Sequence, residues 1–175
     1  MHHDYVIKNN KFILTPVTEA DIELMRGWRN SPLNHSSFLT NNYIDMDQQK
    51  RWFENYLQKT NDIMFIVKDL EDSGKRVGML GLYDIDNDKN KKKAEFGRLL
   101  IGEPSTRGKG LGLAVTLNLC KFGFQILELD EIYLEVITDN VTAHKIYKKA
   151  GFLETERYSI NGKEIIKMSL FKENF

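Results

Sequence analysis

The period of the apolar positions changes several times along the chain, and each change marks a boundary. Phe12, Ile13 and Leu14, with Pro16 behind them, read as a first strand ending in a turn. Thr18 followed three residues later by Asp21 is a helix start, and Ile22, Met25 and Trp28 then fall on one helical stripe. Ser31-Pro32 stops that helix, because the residue before a proline avoids the helical region. Positions 31–44 have no clear period and read as a loop. Asp45 with Gln48 three residues on opens a second helix, whose Gln49, Trp52, Phe53, Tyr56 and Leu57 share a broad face.

Strand-like runs follow. Positions 63–67 are apolar and rich in strand formers, Glu71 to Gly74 form a turn, and 77–83 return. Positions 84–93 are a charged loop, whose Lys91, Lys92 and Lys93 suit a solvated turn or a phosphate contact. In 94–101, Ala94, Phe96, Arg98 and Leu100 face one side and Glu95, Gly97, Leu99 and Ile101 the other. A helix over 113–127 belongs to a stripe of Leu111, Val115, Leu119, Phe122 and Ile126. Positions 132–136 alternate as a strand. Asp139 or Asn140 caps a helix bearing Ala143, Ile146, Tyr147 and Ala150, which Gly151 ends. Positions 152–160 and 163–171 close a hairpin around Asn161-Gly162. The predicted order is β-α-α-β-β-β-α-β-α-β-β in one domain, 1–175, without repeats or linkers.

The chain is organised around Arg107-Gly108-Lys109-Gly110-Leu111-Gly112, between a strand and a helix. Glycines let the backbone turn sharply and approach a ligand, and the first N–H groups of the following helix favour an anion. Arg107 and Lys109 add charge, so a pyrophosphate cradle is expected. It is neither common type. A Walker A loop would need a glycine one residue later than Gly102 and a hydroxyl where Gly110 stands. A dinucleotide fingerprint would need a third glycine at Leu113.

Composition narrows the partners. The 175 residues hold 25 Lys plus Arg and 25 Asp plus Glu, so no basic field recommends a nucleic acid. The single cysteine, Cys120, excludes an internal disulfide and suits a buried thiol in a reducing compartment. No run approaches the ~18 apolar residues of a membrane helix, and no signal-peptide h-region opens the chain. A cytoplasmic protein is expected, with no membrane partner. His35 and His144 share no metal-like spacing with other ligands, so no metal is expected.

The loop, written R-x-x-G-x-G, and the segment from Val136 through Asn140, Ala143, Ile146, Tyr147 and Ala150 to Gly151-Phe152 together resemble the GNAT acetyltransferases. The resemblance covers positions 94–170 and implies an α/β (α+β) fold with a mixed central sheet of about seven strands and flanking helices. It implies acetyl-CoA as cosubstrate and direct N-acetyl transfer to an amine. The cofactor would be bound by Leu99, Leu100 and Ile101 along the strand, by Arg107, Gly108, Lys109, Gly110, Leu111 and Gly112 at the pyrophosphate, and by Asn140. Asn140 is also a good helix cap in its own right, and the two roles are compatible. Tyr147 matches the tyrosine that protonates the leaving thiolate; a phenol with a pKa of about 10 is protonated at neutral pH. Packing in the core is its alternative. Glu95 is the candidate general base, with Glu135, Asp84, His35 and a water chain open beside it.

The acceptor is read by the first half of the chain. Trp28-Arg29-Asn30 and Gln49-Lys50-Arg51-Trp52-Phe53 resemble the branch that acetylates amino groups on nucleotide-linked sugars, as in pseudaminic-acid synthesis. Trp28, Arg29 and Tyr83 are therefore candidate acceptor-binding residues, Arg beside aromatic rings suiting a nucleotide. The alternatives are a core role for Trp28 and Trp52, and a ribosomal-protein-type or polyamine acceptor. A homodimer and a non-catalytic acyl-CoA-binding module are also compatible with the resemblance.

Overall fold

Two short polar motifs start the helices of the first half. In the computed structural model, which describes residues 3–38, 42–86, 88 and 91–175, the Asp21 carboxylate accepts from both the N–H and the hydroxyl of Thr18, at 2.8 and 2.6 Å. A single 3-10 turn then leads into α1 (Ile22–Asn30). Asp45 accepts from the Gln48 N–H at 2.7 Å and Gln48 Oε1 accepts from the Asp45 N–H at 2.9 Å, a reciprocal cap that opens α2 (Met46–Gln58). Between the helices the expected loop contains a 3-10 segment, Pro32–Ser37. Positions 39–41, 87 and 89–90 of the two expected loops lie outside the described residues, as does the side chain of His35.

Among the described residues, eight strands form one sheet in the order β1-β2-β3-β4-β5-β6-β8-β7. They are β1 (Ile7–Lys8), β2 (Phe12–Pro16), β3 (Ile63–Asp69), β4 (Lys75–Asp86), β5 (Lys93–Ile101), β6 (Glu131–Ile137), β7 (Leu153–Ile160) and β8 (Lys163–Phe171). The two-residue β1 is the strand that hydrophobic patterning does not announce. All neighbours pair antiparallel except β5 and β6, which run parallel. The crossover between those two is α3 (Leu111–Gln125), and α4 (Val141–Lys149) follows β6. Helix α3 starts two residues before the expected position, and its stripe ends at Phe122: Ile126 is exposed.

The middle strands of the sheet are buried on both faces. In β3, Ile63, Phe65 and Val67 join one apolar cluster while Met64 and Ile66 join another, so alternate side chains point to opposite sides. The first cluster takes Val115, Leu119 and Phe122 of α3 with Tyr147 of α4. The second takes Met25 and Trp28 of α1 with Phe53 and Tyr56 of α2. Lys91 and Lys92 form ion pairs with Glu131 and Glu128, at 2.7 and 2.9 Å, at the edge of the expected charged loop. Among the described residues no helix is long and apolar enough to cross a membrane, and no three His, Cys, Asp or Glu are grouped to hold a metal.

Trp28 packs flat on Gly102, just past β5, where an added Cβ would fall 2.2 Å from the indole. We expect Gly102→Ala to lower stability by about 1–3 kcal/mol, the usual cost of overpacking. A thermal melt with tryptophan emission beside it checks this: the melting point falls and the emission shifts red. An unchanged melt would show that the indole does not need this face of the strand.

Candidate active site

Strands β5 and β6 begin as partners and then part. Their register holds at Lys93↔Glu131, Ala94↔Ile132 and Glu95↔Tyr133 and stops there, although β5 runs on to Ile101 and β6 to Ile137. The cause lies on the other side of β5. Its register with β4 shifts between Met79 and Gly81, and Arg98 sits inside the strand at a φ of +54°. An extra residue of this kind bends and twists the strand that carries it. The facing backbone edges of residues 96–101 and 134–137 are left for something other than a strand.

A cavity of about 660 Å³ opens at this split. Glu95, Gly97, Arg98 and Leu99 line it from β5, and Glu135, Val136 and Ile137 from β6. Tyr83 contributes from β4, Asn140 and Tyr147 from α4, and Met25, Arg29, Gln49 and Trp52 from the first two helices. Phe38 and Tyr43 close the same side.

The titratable groups have marked surroundings. Burial pushes the Glu95 carboxyl above the usual glutamate range, against the hydrogen bond that Tyr83 Oη donates to it at 2.7 Å. Glu135 and Asp84 push the same way as burial, and Arg98 pulls against it. Burial likewise raises Tyr83 and Tyr158, and Tyr133 is pushed up to about 12 by burial and then by Glu95. Tyr147 is only 7% exposed, and burial, with the neighbouring Cys120 thiol, holds its phenol well above the ordinary tyrosine value. Its ring meets Phe96 edge to face at 5.8 Å, so it is both packed and on the cavity wall.

Of the residues picked out from sequence, Tyr147, Glu95, Asn140, Leu99, Arg29 and Tyr83 meet around this cavity. Asn140 caps α4, its side-chain oxygen accepting from the Ala143 N–H at 3.2 Å, which leaves the amide nitrogen for a ligand. Trp28 does not line the cavity. It is buried in the second cluster, 5% exposed, and its reading as an acceptor contact is corrected to a core role. Trp52, open to the same core reading, lies on the wall. Leu100 is buried in that second cluster, so only its backbone faces outward.

The glycine loop lies just beyond. Gly108, Lys109 and Gly110 are exposed, and Gly110 holds the position before α3 at a φ of +77°, which a side chain rarely adopts. A Cβ added there would meet nothing within 4 Å, so the helix N-terminus faces open space. Gly112 differs: its added Cβ would lie 3.0 Å from Ile146 of α4, which makes it a packing position. Leu111 is half-buried against the first cluster. Arg107 braces the loop, with Nε donating to the Ile101 carbonyl at 3.2 Å and Nη2 to Asn34 Oδ1 at 2.5 Å.

Residues 11–153 match the family model described as an acetyltransferase (GNAT) domain. A spermidine N(1)-acetyltransferase from Vibrio cholerae is 24% identical over 89% of this chain and 88% of its own length. The acetyltransferase PseH of Campylobacter jejuni is 30% identical over 78% of this chain and 79% of its own. The crystal structure of the V. cholerae spermidine N-acetyltransferase with CoA and spermine superposes with a TM-score of 0.83 at 23% identity, covering 95% of this chain and 98% of that one. With a cleft between parted parallel strands and a glycine loop at the following helix, the chain belongs to the GNAT family and is an acetyl-CoA-dependent N-acetyltransferase.

Proposed function

We propose that the acceptor is a small molecule with a primary amine at one end and an anionic group at the other, a nucleotide-linked amino sugar being the class that suits the cavity best. The observation that carries this is the cavity's two-ended polarity. Arg29 stacks on Phe38, its guanidinium 3.4 Å from the ring centroid, on the helical side of the wall with Trp52. Burial pulls the Arg29 pKa down from its ordinary value, yet arginine keeps its charge in such places. Glu95 and Glu135 lie at the strand side. A phosphate would be attracted to the first end and an ammonium to the second. The similarity to PseH agrees with this reading. A polyamine is the second reading, favoured by the two carboxylates and by similarity to the spermidine enzymes, but it leaves the half-buried Arg29 facing a polycation. The V. cholerae relative has been solved as a dodecamer, which supports a homo-oligomer here, a homodimer at least.

Acetyl-CoA supplies a thioester carbonyl activated toward an amine. The Gly108–Gly110 backbone and the α3 N-terminus would hold its pyrophosphate, with charge from Arg107 and Lys109. The open edge of Leu99, Leu100 and Ile101 would pair with its amide-bearing arm, and Asn140 Nδ2 would add a donor. Glu95, its affinity for a proton raised by burial, takes the proton that the amine must lose. Tyr147 Oη keeps its proton at neutral pH and gives it to the leaving sulfur.

Three outcomes follow. Gly110→Val places a branched side chain where the phosphate would lie, so the dissociation constant for acetyl-CoA should rise at least about tenfold, near 1.4 kcal/mol. Calorimetric titration of folded protein checks this, and wild-type affinity would remove the cradle. Tyr147→Phe keeps the ring, so the melt should hold while kcat falls by roughly 10²–10⁴. Turnover within about threefold of wild type, well under 1.4 kcal/mol of barrier, would leave Tyr147 a core residue. In thiol-release assays, a UDP-linked amino sugar should outperform spermidine, and Arg29→Ala should raise its KM about tenfold, as expected for a lost charge-assisted bond. Faster turnover of spermidine, with KM improved by Arg29→Ala, would favour the polyamine reading instead.

A further inference from the structure

Arg98 stands inside a strand at a φ of +54°, where glycine would sit without strain. An arginine at that position is explained by what its guanidinium touches. Nη1 and Nη2 donate to Asp62 Oδ1 and Oδ2 at 2.7 and 3.0 Å, and the Asp62 side chain is only 2% exposed. Lys59 Nζ approaches the same carboxylate at 3.3 Å. Beside Asp62, the Asn61 carbonyl accepts from the Ile85 N–H of β4 at 3.1 Å, so this corner is also tied through backbone. The Arg98 guanidinium lies over the Tyr83 ring, 4.3 Å from its centroid, and Tyr83 Oη donates to Glu95 Oε1 at 2.7 Å. The tyrosine hydroxyl also fills the space that a side chain at position 97 would need, 2.5 Å from a Cβ built on Gly97.

We propose that Asp62 and Arg98 are positioning residues for acetyl transfer. The buried carboxylate anchors the arginine fork, the fork fixes the bulge in β5 and the Tyr83 ring, and the Tyr83 hydroxyl orients Glu95. The inference rests on the reading of Glu95 as the base. Asp62 and Arg98 are 36 residues apart and belong to neither family motif. Their pair differs from a merely structural ion pair in one respect: it delivers a positive charge and an oriented hydroxyl to the reacting end of the cleft. The other charged and titratable groups facing Glu95 are Asp84 on β4, Tyr133 and Glu135 on β6, and Tyr158 on β7. Among these and the Tyr83–Arg98 pair, Arg98 is the cation.

The sign of its effect is fixed. A nearby cation favours the ionised carboxylate, so removing it raises the affinity of Glu95 for its proton. A base must be deprotonated to act, so the acid side of the kcat/KM profile moves to higher pH. Arg98→Gly removes the fork while suiting the left-handed backbone. It also leaves Asp62 buried without its main partner, so the double variant Arg98→Gly/Asp62→Asn is made alongside it to restore the melt.

Glu95 is titrated by carboxyl ¹³C NMR, assigned with Glu95→Gln, in wild type and both variants, with kcat/KM profiles measured on whichever of the UDP-linked amino sugar and spermidine turns over faster. We expect the Glu95 midpoint to rise measurably in both variants, with the kcat/KM limb moving by the same amount. A midpoint that stays at the wild-type value in the double variant overturns the proposal and leaves Arg98–Asp62 a fold-stabilising pair. A midpoint that moves while the kcat/KM limb does not would keep the coupling of Arg98 to Glu95 and remove Glu95 as the base.

Discussion

The parting of β5 from β6 is the constraint on which the rest of the site depends. Two parallel strands that pair at three positions and then separate expose backbone donors and acceptors that an uninterrupted sheet would consume. Such groups are costly to bury unpaired, so the opening must admit water or a ligand with amide-like groups. The bulge at Arg98 makes the separation, the α3 crossover covers one face of the sheet, and α1 with α2 covers the other. Every functional candidate is placed by these elements: Glu95 and Tyr83 at the last paired rung, Asn140 and Tyr147 on the helix leaving β6, and the glycine loop where β5 hands over to α3.

The same geometry sorts the electrostatics. Carboxylates gather where the strands diverge, and burial there raises the proton affinity of Glu95 and of the tyrosines around it. The helical side contributes Arg29, packed on Phe38, with Trp52 on the same cavity wall. Low-dielectric walls strengthen both ends of this field. A site of this kind can recognise a molecule by its two ends while holding at one of them a carboxylate whose proton affinity is raised by burial.

What was legible in the sequence was mostly local. Thr18–Asp21 and Asp45–Gln48 lie within one turn of each other, so spacing alone announces them, and Asn161-Gly162 has the positive φ values of a tight hairpin. The GNAT motif spacing sets Asn140 at the cap of α4 and Tyr147 along one face of it, and both line the cavity. Sequence leaves Trp28 open between core and acceptor contact, because a tryptophan near a helix end looks the same whether it packs on a distant glycine or waits for a ligand; Gly102 decides between them, far away in the chain. Gly112 was grouped with its neighbours although only its contact with Ile146 explains it. The Asp62–Arg98 pair and the bulge had no signal: the register shift arises from pairing with β4, and no residue pattern marks an arginine with positive φ.

The central claim is that acetyl-CoA lies in the gap between β5 and β6 with its phosphates at the start of α3. Amide hydrogen exchange with and without acetyl-CoA tests it directly, because ligand contacts slow the exchange of the backbone donors they use. The account predicts slowed exchange at residues 97–101 and 108–112, with the edge strand β7 unchanged. Unaltered exchange at both of those segments, with protection appearing instead around the separate cavity near His3, Asp21 and Arg76, would contradict it.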